Sequence, residues 1–264
     1  MCTLTVVTSG NTYRMAMNRD EKISRGAGTP PEMHELDSTR AIYPNDGDGG
    51  TWISANQLGI TLALLNWNQI TPHVKATKTR SRGRVIPAVI GSRSLSGLRA
   101  ALNASNFIGM MPFRLVGIFP LEQAIWEWRW DSKQLKFLAH GWAPRHWFSS
   151  SLSDDRAESM RGAVCQTARH EPDAGSAGWL RRLHGSHVGG RGPFSLCVHR
   201  EQVRTLSYSE VSMTPEGMRM CHFRGSPCVM NQIDPMEITI DSVAGPNLAA
   251  GMSVVESFES CLSQ

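Results

Sequence analysis

The chain has 264 residues, 41% hydrophobic and 19% charged, the balance of an ordinary globular protein long enough to bury a core. Its formal net charge of +4 is carried by scattered Arg and Lys, which argues against nucleic acid as a partner. No basic segment followed by an apolar run opens the chain, and no stretch approaches the ~20 consecutive apolar residues of a membrane span, so a cytoplasmic location is expected.

Thr3 to Val7 is β-branched and reads as a strand starting almost at the terminus; Ser9-Gly10-Asn11 is a turn signal, and Thr12 to Asn18 returns antiparallel. Gly26 to Gly50 is rich in Pro, Gly and acidic residues and reads as a long loop. Thr51–Ile53 and Ile60–Leu65 form a second strand pair around Asn56-Gln57-Leu58-Gly59. The basic cluster Arg80-Ser81-Arg82-Gly83-Arg84 reads as a solvated loop. Ser94 opens a helix with Leu95, Leu98 and Leu102 at helical spacing, ending near Asn106. Arg114 to Phe119 resumes strand. Trp126, Trp128 and Trp130 alternate with Glu127 and Arg129, which places three indoles on one sheet face packed under a helix, and Leu135 and Phe137 continue the meander.

Ser153-Asp154-Asp155 caps a second helix with Ala157, Met160, Val164 and Ala168 along its inner stripe. Gly185 to Gly192 is a glycine-rich loop, and strand alternation returns at 194–198, 203–208 and 218–223. With no repeat, low-complexity tract or linker, residues 1–264 are expected to form one domain. The six cysteines (Cys2, Cys165, Cys197, Cys221, Cys228 and Cys261) lack CxxC spacing, and a chain of this size does not need disulfides, so all are expected as reduced thiols.

The second residue carries the chemistry. Removal of Met1 from a Met-Cys start leaves Cys2 with a thiol and a free α-amine, whose ordinary pKa values of about 8.5 and 7.7–8.0 lie near neutrality. Such an amine can take the thiol's proton and later deliver it to a leaving group, so one residue supplies nucleophile and base. Seating that residue at the start of a central strand fixes it in a rigid sheet.

Met1-Cys2-Thr3-Leu4-Thr5-Val6-Val7 followed by Asn18-Arg19-Asp20-Glu21 resembles the signature of the NRDE family, which includes transport-and-Golgi-organisation protein 2 homologues. Gly49-Gly50-Thr51-Trp52 with Asn56 and Gly59, then Leu64-Leu65-Asn66, then Ser81-Arg82-Gly83 agree in order, so the resemblance runs from Met1 to about Val89. That family is similar in turn to bile-salt hydrolases and penicillin V acylases, within the N-terminal-nucleophile hydrolase superfamily. The resemblance implies an α+β fold, a four-layer αββα sandwich of two mainly antiparallel sheets with helices on the outer faces. It also implies cleavage of a non-peptide amide through Cys2, with a small-molecule or lipid-like ligand and no cofactor or metal.

In those relatives an Arg and an Asp from the adjacent strand flank the nucleophile, and Arg19 and Asp20 are the candidates here. The relatives separate the two by two residues, whereas here they are adjacent. Adjacent residues on one strand point to opposite faces, so Asn18 and Asp20 are expected as the working pair with Arg19 structural. Asn66 is similar to an Asn that lines the relatives' oxyanion hole, a contribution of about 3 kcal/mol where the donor is well aimed. The relatives' second oxyanion Asn has as its nearest counterpart Ser149-Ser150-Ser151. That departure, together with the Trp stripe, supports the alternative of a non-catalytic carrier of lipid, acyl-CoA or haem, with which animal members of the family are associated.

Other polar groups read as structural. His184 and His187 lie about a glycine-rich segment without a clear third metal ligand, Cys221-His222 with Cys228 has no recognised metal spacing, and His199-Arg200 ends a strand at the surface.

Overall fold

A computed structural model describes residues 2–37, 39–72, 79–214, 216–232 and 234–241; Met1 and Cys261 lie outside the described residues. β1 (Cys2–Ser9) reverses at Gly10, where φ is +52°, into β2 (Thr12–Lys22), as the turn signal predicts. β3 (Pro31–Leu36), β4 (Thr39–Pro44), β5 (Ile53–Asn56) and β6 (Thr61–Asn66) follow, then α1 (Val85–Val89) and α2 (Leu95–Ala104). β7 (Phe113–Phe119), β8 (Ala124–Trp130), β9 (Leu135–His140) and β10 (Arg145–Ser149) form the middle of the chain. α3 (Asp154–Ala168) and α4 (Ala177–His184) precede β11 (Val203–Met213), β12 (Gly217–Arg224) and β13 (Met236–Asp241).

The strands make two antiparallel sheets, ordered β10-β1-β2-β11-β12-β13 and β3-β4-β5-β6-β7-β8-β9. Leu4, Met15 and Met17 of the first pack against Ile53, Leu65 and Val116 of the second, so the main core lies between the sheets. On the far face of the second sheet, Ile86 of α1 and Leu98 and Leu102 of α2 cover Leu62, Leu115 and Trp128. On the far face of the first, Ala157 and Cys165 of α3 and Leu180 and Leu183 of α4 cover Phe148 and Tyr208. The result is the αββα sandwich that the resemblance implies, with strands buried on both faces, which is why Thr3 and Thr5 are as inaccessible as Leu4. The indole stripe lies where its alternation predicts: Trp128 and Trp130 are buried in the α1–α2 layer and Trp126 packs at its margin.

Several expectations need correction. The 26–50 segment is not a loop throughout, because β3 and β4 form an edge hairpin there; β4 is largely buried, and its Pro- and acid-rich surroundings mask the pattern. The basic cluster leads into a short helical turn and α1, whose Val85, Ile86 and Val89 are buried. Residues 194–198 form no strand and are followed by a single bridge, His199 to Arg204. On α3 the buried stripe is Ala157, Arg161, Cys165 and Ala168, while Met160 is exposed. α4 went unread in the sequence although Ser176 caps it and Trp179, Leu180 and Leu183 share its inner face. Cys221 is disulfide-bonded rather than free, since a size argument shows only that a disulfide is unnecessary; Cys2, Cys165, Cys197 and Cys228 are free thiols.

Among the described residues no helix is long and apolar enough to cross a membrane.

Candidate active site

Directly opposed residues of an antiparallel pair share a face. Cys2 stands opposite Ser149 on β10 and Arg19 on β2, and Arg19 stands opposite Ser207 on β11. Ser149, Cys2, Arg19 and Ser207 therefore form one row across four strands, all buried, on the inner face of the first sheet. The next inward-facing row is apolar: Trp147, Leu4 and Met17 belong to the intersheet core.

The peptide nitrogen of Cys2 donates to Ser149 Oγ at 2.8 Å. Cys2 is 6% exposed. Burial pushes its thiol above the ordinary range, while the charge at the chain's N-terminus, the Asp20 backbone N–H and the Arg19 guanidinium act the other way. Arg19 Nη1 donates to the Gly26 carbonyl at 2.8 Å, and its guanidinium lies 4.5 Å from the centre of the Trp52 ring. A second cation, Arg82, is anchored on the Pro112 carbonyl at 3.1 Å. Burial lowers the pKa of both Arg19 and Arg82, and the charges of Glu21 and then Cys2 partly restore each.

Arg82 is held there by two glycines. A Cβ on Gly50 would sit 3.0 Å from Gly83 Cα, and one on Gly83 would sit 3.2 Å from Gly50 Cα. The backbones touch, Thr51 N–H donates to the Gly83 carbonyl at 3.0 Å, and the basic loop is pinned to the start of β5.

The register corrects the expected pairing of Asn18 with Asp20. The two do share a face, but it is the outer one, and Arg19 is the residue that faces the same side as Cys2. Asn18 Nδ2 donates to the carbonyls of His184 and Leu196, both at 2.9 Å, and so ties β2 to the α4 layer. Asp20 lies one residue past the end of β1, opposite Thr205, whose hydroxyl donates to Asp20 Oδ1 at 2.6 Å. Its Oδ2 is 3.6 Å from Arg161 Nη1 and has no hydrogen-bond partner among the described residues. Burial raises the Asp20 carboxyl, and Arg161 and Thr205 oppose the rise.

Arg161 escaped sequence reasoning. Buried on α3, its Nη1 donates to Thr3 Oγ1 at 2.9 Å and approaches the carbonyls of Cys2 and Ser149, each at 3.5 Å; Nη2 donates to Pro193 O at 3.3 Å. One guanidinium thus gathers β1, β10, β2 and the 193 loop at the Cys2 end of the sheet. The legible signal was its place four residues after Ala157 and four before Cys165.

Asn66 is the last residue of β6 and half-buried. Its predecessor Leu65 shares the intersheet core with Cys2, while alternation sets the Asn66 side chain with Leu62 and Leu64 on the helix-covered side. Two residues further, the backbone N–H groups of Asn68 and Gln69 donate to Asp154 Oδ2 at 2.7 and 3.1 Å, and Ser150 N–H donates to Asp154 Oδ1 at 2.6 Å. Asp154 therefore couples the segment after Asn66 to the serine run after β10. Arg114 Nη2 donates to the Phe148 carbonyl and makes a further bridge between the sheets.

Under α4, Thr5 Oγ1 bonds both His184 Nε2, at 2.9 Å, and His146 Nδ1, at 3.0 Å. Burial holds His184 at a pKa of about 3 and His146 at about 4, and His222 sits likewise at about 4. The folded protein keeps these imidazoles neutral where the unfolded chain, at the ordinary value of 6.5, takes up protons. Their contribution is therefore complete above pH ~6.5 and is lost as pH falls toward 4, at about 1.4 kcal/mol per pH unit for each imidazole; the raised Asp20 carboxyl offsets part of this at the acid end. Denaturant unfolding at pH 7, 6 and 5 should show stability falling progressively, with a shallower fall in His146→Asn. A flat profile over that interval would contradict the assignment.

Residues 1–123 match the model of the family Transport and Golgi organisation 2. No curated protein matches the chain in sequence. Among solved structures, penicillin V acylase from Agrobacterium tumefaciens is similar with 11% identity and a TM-score of 0.53, over 91% of this chain and 86% of that one. The C2A mutant of conjugated bile acid hydrolase from Clostridium perfringens is similar with 9% identity and a TM-score of 0.50, over 90% of this chain and 92% of that one. At such identities the likeness shows the fold, that of the N-terminal-nucleophile hydrolases, and no more. The first 123 residues thus match the Transport and Golgi organisation 2 family model, and the chain as a whole has the fold of those acylases.

Proposed function

We propose that this chain is a cysteine N-terminal-nucleophile hydrolase that cleaves a non-peptide amide once Met1 has been removed. The observation that carries the reading is the 2.8 Å bond from the Cys2 nitrogen to Ser149 Oγ, in the same cross-strand row as Arg19. After excision that nitrogen is the α-amine, already positioned beside its own thiol. Ser149 accepts from it, and the serine's own proton is then available to an oxyanion. Asp20 Oδ2, ion-paired with Arg161 but without a hydrogen bond among the described residues, is an acceptor for a further ammonium proton.

The amine takes the thiol proton, and Sγ attacks the amide carbonyl. The Ser149 hydroxyl steadies the oxyanion. Collapse breaks the C–N bond, the departing amine leaves with the proton held by the α-amine, and a thioester remains on Cys2. Water, deprotonated by the α-amine, cleaves the thioester to a carboxylic acid and restores the thiol. Arg19 favours the thiolate, and Arg19 and Arg82 each have guanidinium donors beyond the one carbonyl bond that anchors it among the described residues. A substrate with a carboxylate beside the scissile amide suits those donors.

An N-acyl amino acid panel tests this. Met1-free protein should release acid and amino acid in equal amounts, favouring carboxylate-bearing amides over neutral ones. Arg82→Gln should reduce that preference roughly tenfold or more, the worth of a hydrogen bond to a charged group. No release from Met1-free protein would defeat the reading.

One observation favours a second reading. The 6% exposure of Cys2 and its raised thiol suit a non-catalytic carrier of lipid, acyl-CoA or haem on the same scaffold. Native mass spectrometry of protein purified without added ligand separates the two: a bound species with no amide turnover supports the carrier, and an empty protein with turnover excludes it.

A further inference from the structure

In the layer that holds α3 and α4, four side chains from three separate segments converge. His187 lies in the glycine-rich loop after α4, Cys197 and His199 in the irregular stretch that follows, and Cys228 in the turn after β12. One ligand atom from each lies within 4.8 Å of all the others. Cys197 Sγ and Cys228 Sγ stand 3.4 and 3.5 Å from His199 Nε2, and the His187 and His199 ring centres are 4.9 Å apart. We propose that these four residues bind a single zinc ion.

The donor set is two thiols and two imidazoles with no carboxylate, a soft tetrahedral site that suits zinc and does not suit calcium or magnesium. Bond lengths of about 2.0–2.3 Å at a tetrahedral centre put ligand atoms roughly 3.3–3.8 Å apart, close to the spacings observed. Such a compact set encloses one ion and leaves no room for an iron–sulfur cluster between the ligands. An independent observation points the same way: His187 Nε2 is buried and has no hydrogen-bond partner among the described residues, although thiols and a second imidazole surround it. A buried nitrogen lone pair in that position is a ligand waiting for an acceptor of its electrons. Both thiols are free. A Cys197–Cys228 disulfide would instead use up both sulfurs and leave His187 as it is.

Binding is balanced in charge and protons. Two thiols release two protons, and the resulting thiolates neutralise Zn2+. Arg191 Nη2 donates to Cys228 Sγ at 3.8 Å from outside the cluster. Four protein ligands close the coordination sphere, so the site is structural rather than catalytic. Its position gives it a task. The stretch it clamps supplies the Leu196 carbonyl that helps hold Asn18 and the Pro193 carbonyl that holds Arg161. The ion thus braces the outer support of the Cys2 row, whether or not that row is catalytic.

Full-length protein carrying no polyhistidine tag, purified under reducing conditions without chelator and incubated with zinc chloride before dialysis, should hold about one zinc per chain by elemental mass spectrometry. Cobalt(II) should substitute with the intense visible absorption of tetrahedral thiolate coordination. Cys228→Ser and His187→Ala, both at half-buried positions, should each reduce bound zinc to below roughly a tenth per chain and abolish the cobalt spectrum, while Cys2→Ala leaves both unchanged. A chelator should lower the unfolding temperature of the parent protein but not of Cys228→Ser. The proposal is overturned if the parent retains no zinc, if Cys228→Ser retains a full equivalent, or if intact mass shows Cys197 and Cys228 joined in the reduced preparation. Because two variants on different segments are used, loss of folding in one leaves the other to decide.

Discussion

Replacing Arg161 by Met should cost about 3–5 kcal/mol of folding stability, the range for breaking a buried ion pair from one side. The guanidinium reaches Asp20, Thr3, Pro193 and the carbonyls of Cys2 and Ser149 from a position with no side-chain exposure. Met fills much of the volume and removes every donor, so the loss reports the stranded acceptors rather than a cavity. Asp20 limits the damage: burial already raises its carboxyl, and without Arg161 it takes a proton rather than remain an isolated buried charge. The double variant Arg161→Met with Asp20→Asn should therefore lose less than the sum of the singles, by 0.5 kcal/mol or more, on the order seen for contacting pairs. Urea denaturation of the four chains supplies the cycle. A single-variant loss under about 1 kcal/mol would mean that Arg161 is an ordinary surface cation, against its observed burial.

Blocking the N-terminus should abolish most of the chemistry while leaving the thiol in place. A chain with a non-cleavable residue or tag ahead of Cys2 keeps the Cys2–Arg19 and Cys2–Ser149 register, since both depend on the β1 backbone. Its Cys2 nitrogen, however, remains an amide, which cannot accept the thiol proton. Acylation by an activated amide should fall about 10²–10⁴-fold, the usual worth of a positioned general base. Cys2→Ala should remove the reaction altogether. The pair of variants separates a terminal nucleophile from a merely reactive cysteine: a buried thiol with a raised pKa and no neighbouring amine would be slow in both chains alike. Equal rates with and without the extension would place the base elsewhere.

The parts of the fold that were legible in the sequence are those where periodicity and packing agree. The hairpin through Gly10 was readable because the turn residue and the alternation on either side coincide, and the indole stripe because its outer layer is apolar. Reading failed where burial is polar. Arg161 sits on an inner helical stripe and is buried by hydrogen bonds to the site, so a search for apolar spacing selected Met160 instead. The facing of Arg19 depends on which β1 residue it opposes; alternation shows that Arg19 and Asp20 diverge but not which of them turns inward. The Cys/His cluster was hidden for a related reason, since its ligands come from three segments and no short spacing announces them. Ser149 was visible as a counterpart to a missing Asn, and the structure shows it bonded to the Cys2 nitrogen.

The proposed chemistry needs a sulfur and an amine belonging to one terminal residue. Intact and peptide mass spectrometry of untagged protein, before and after brief exposure to an activated acyl probe, addresses this in a single experiment. The parent chain should begin at Cys2 and gain one acyl group, located on the N-terminal peptide and absent from Cys2→Ala. A chain that retains Met1 throughout, or an acyl group found at another cysteine, would contradict it.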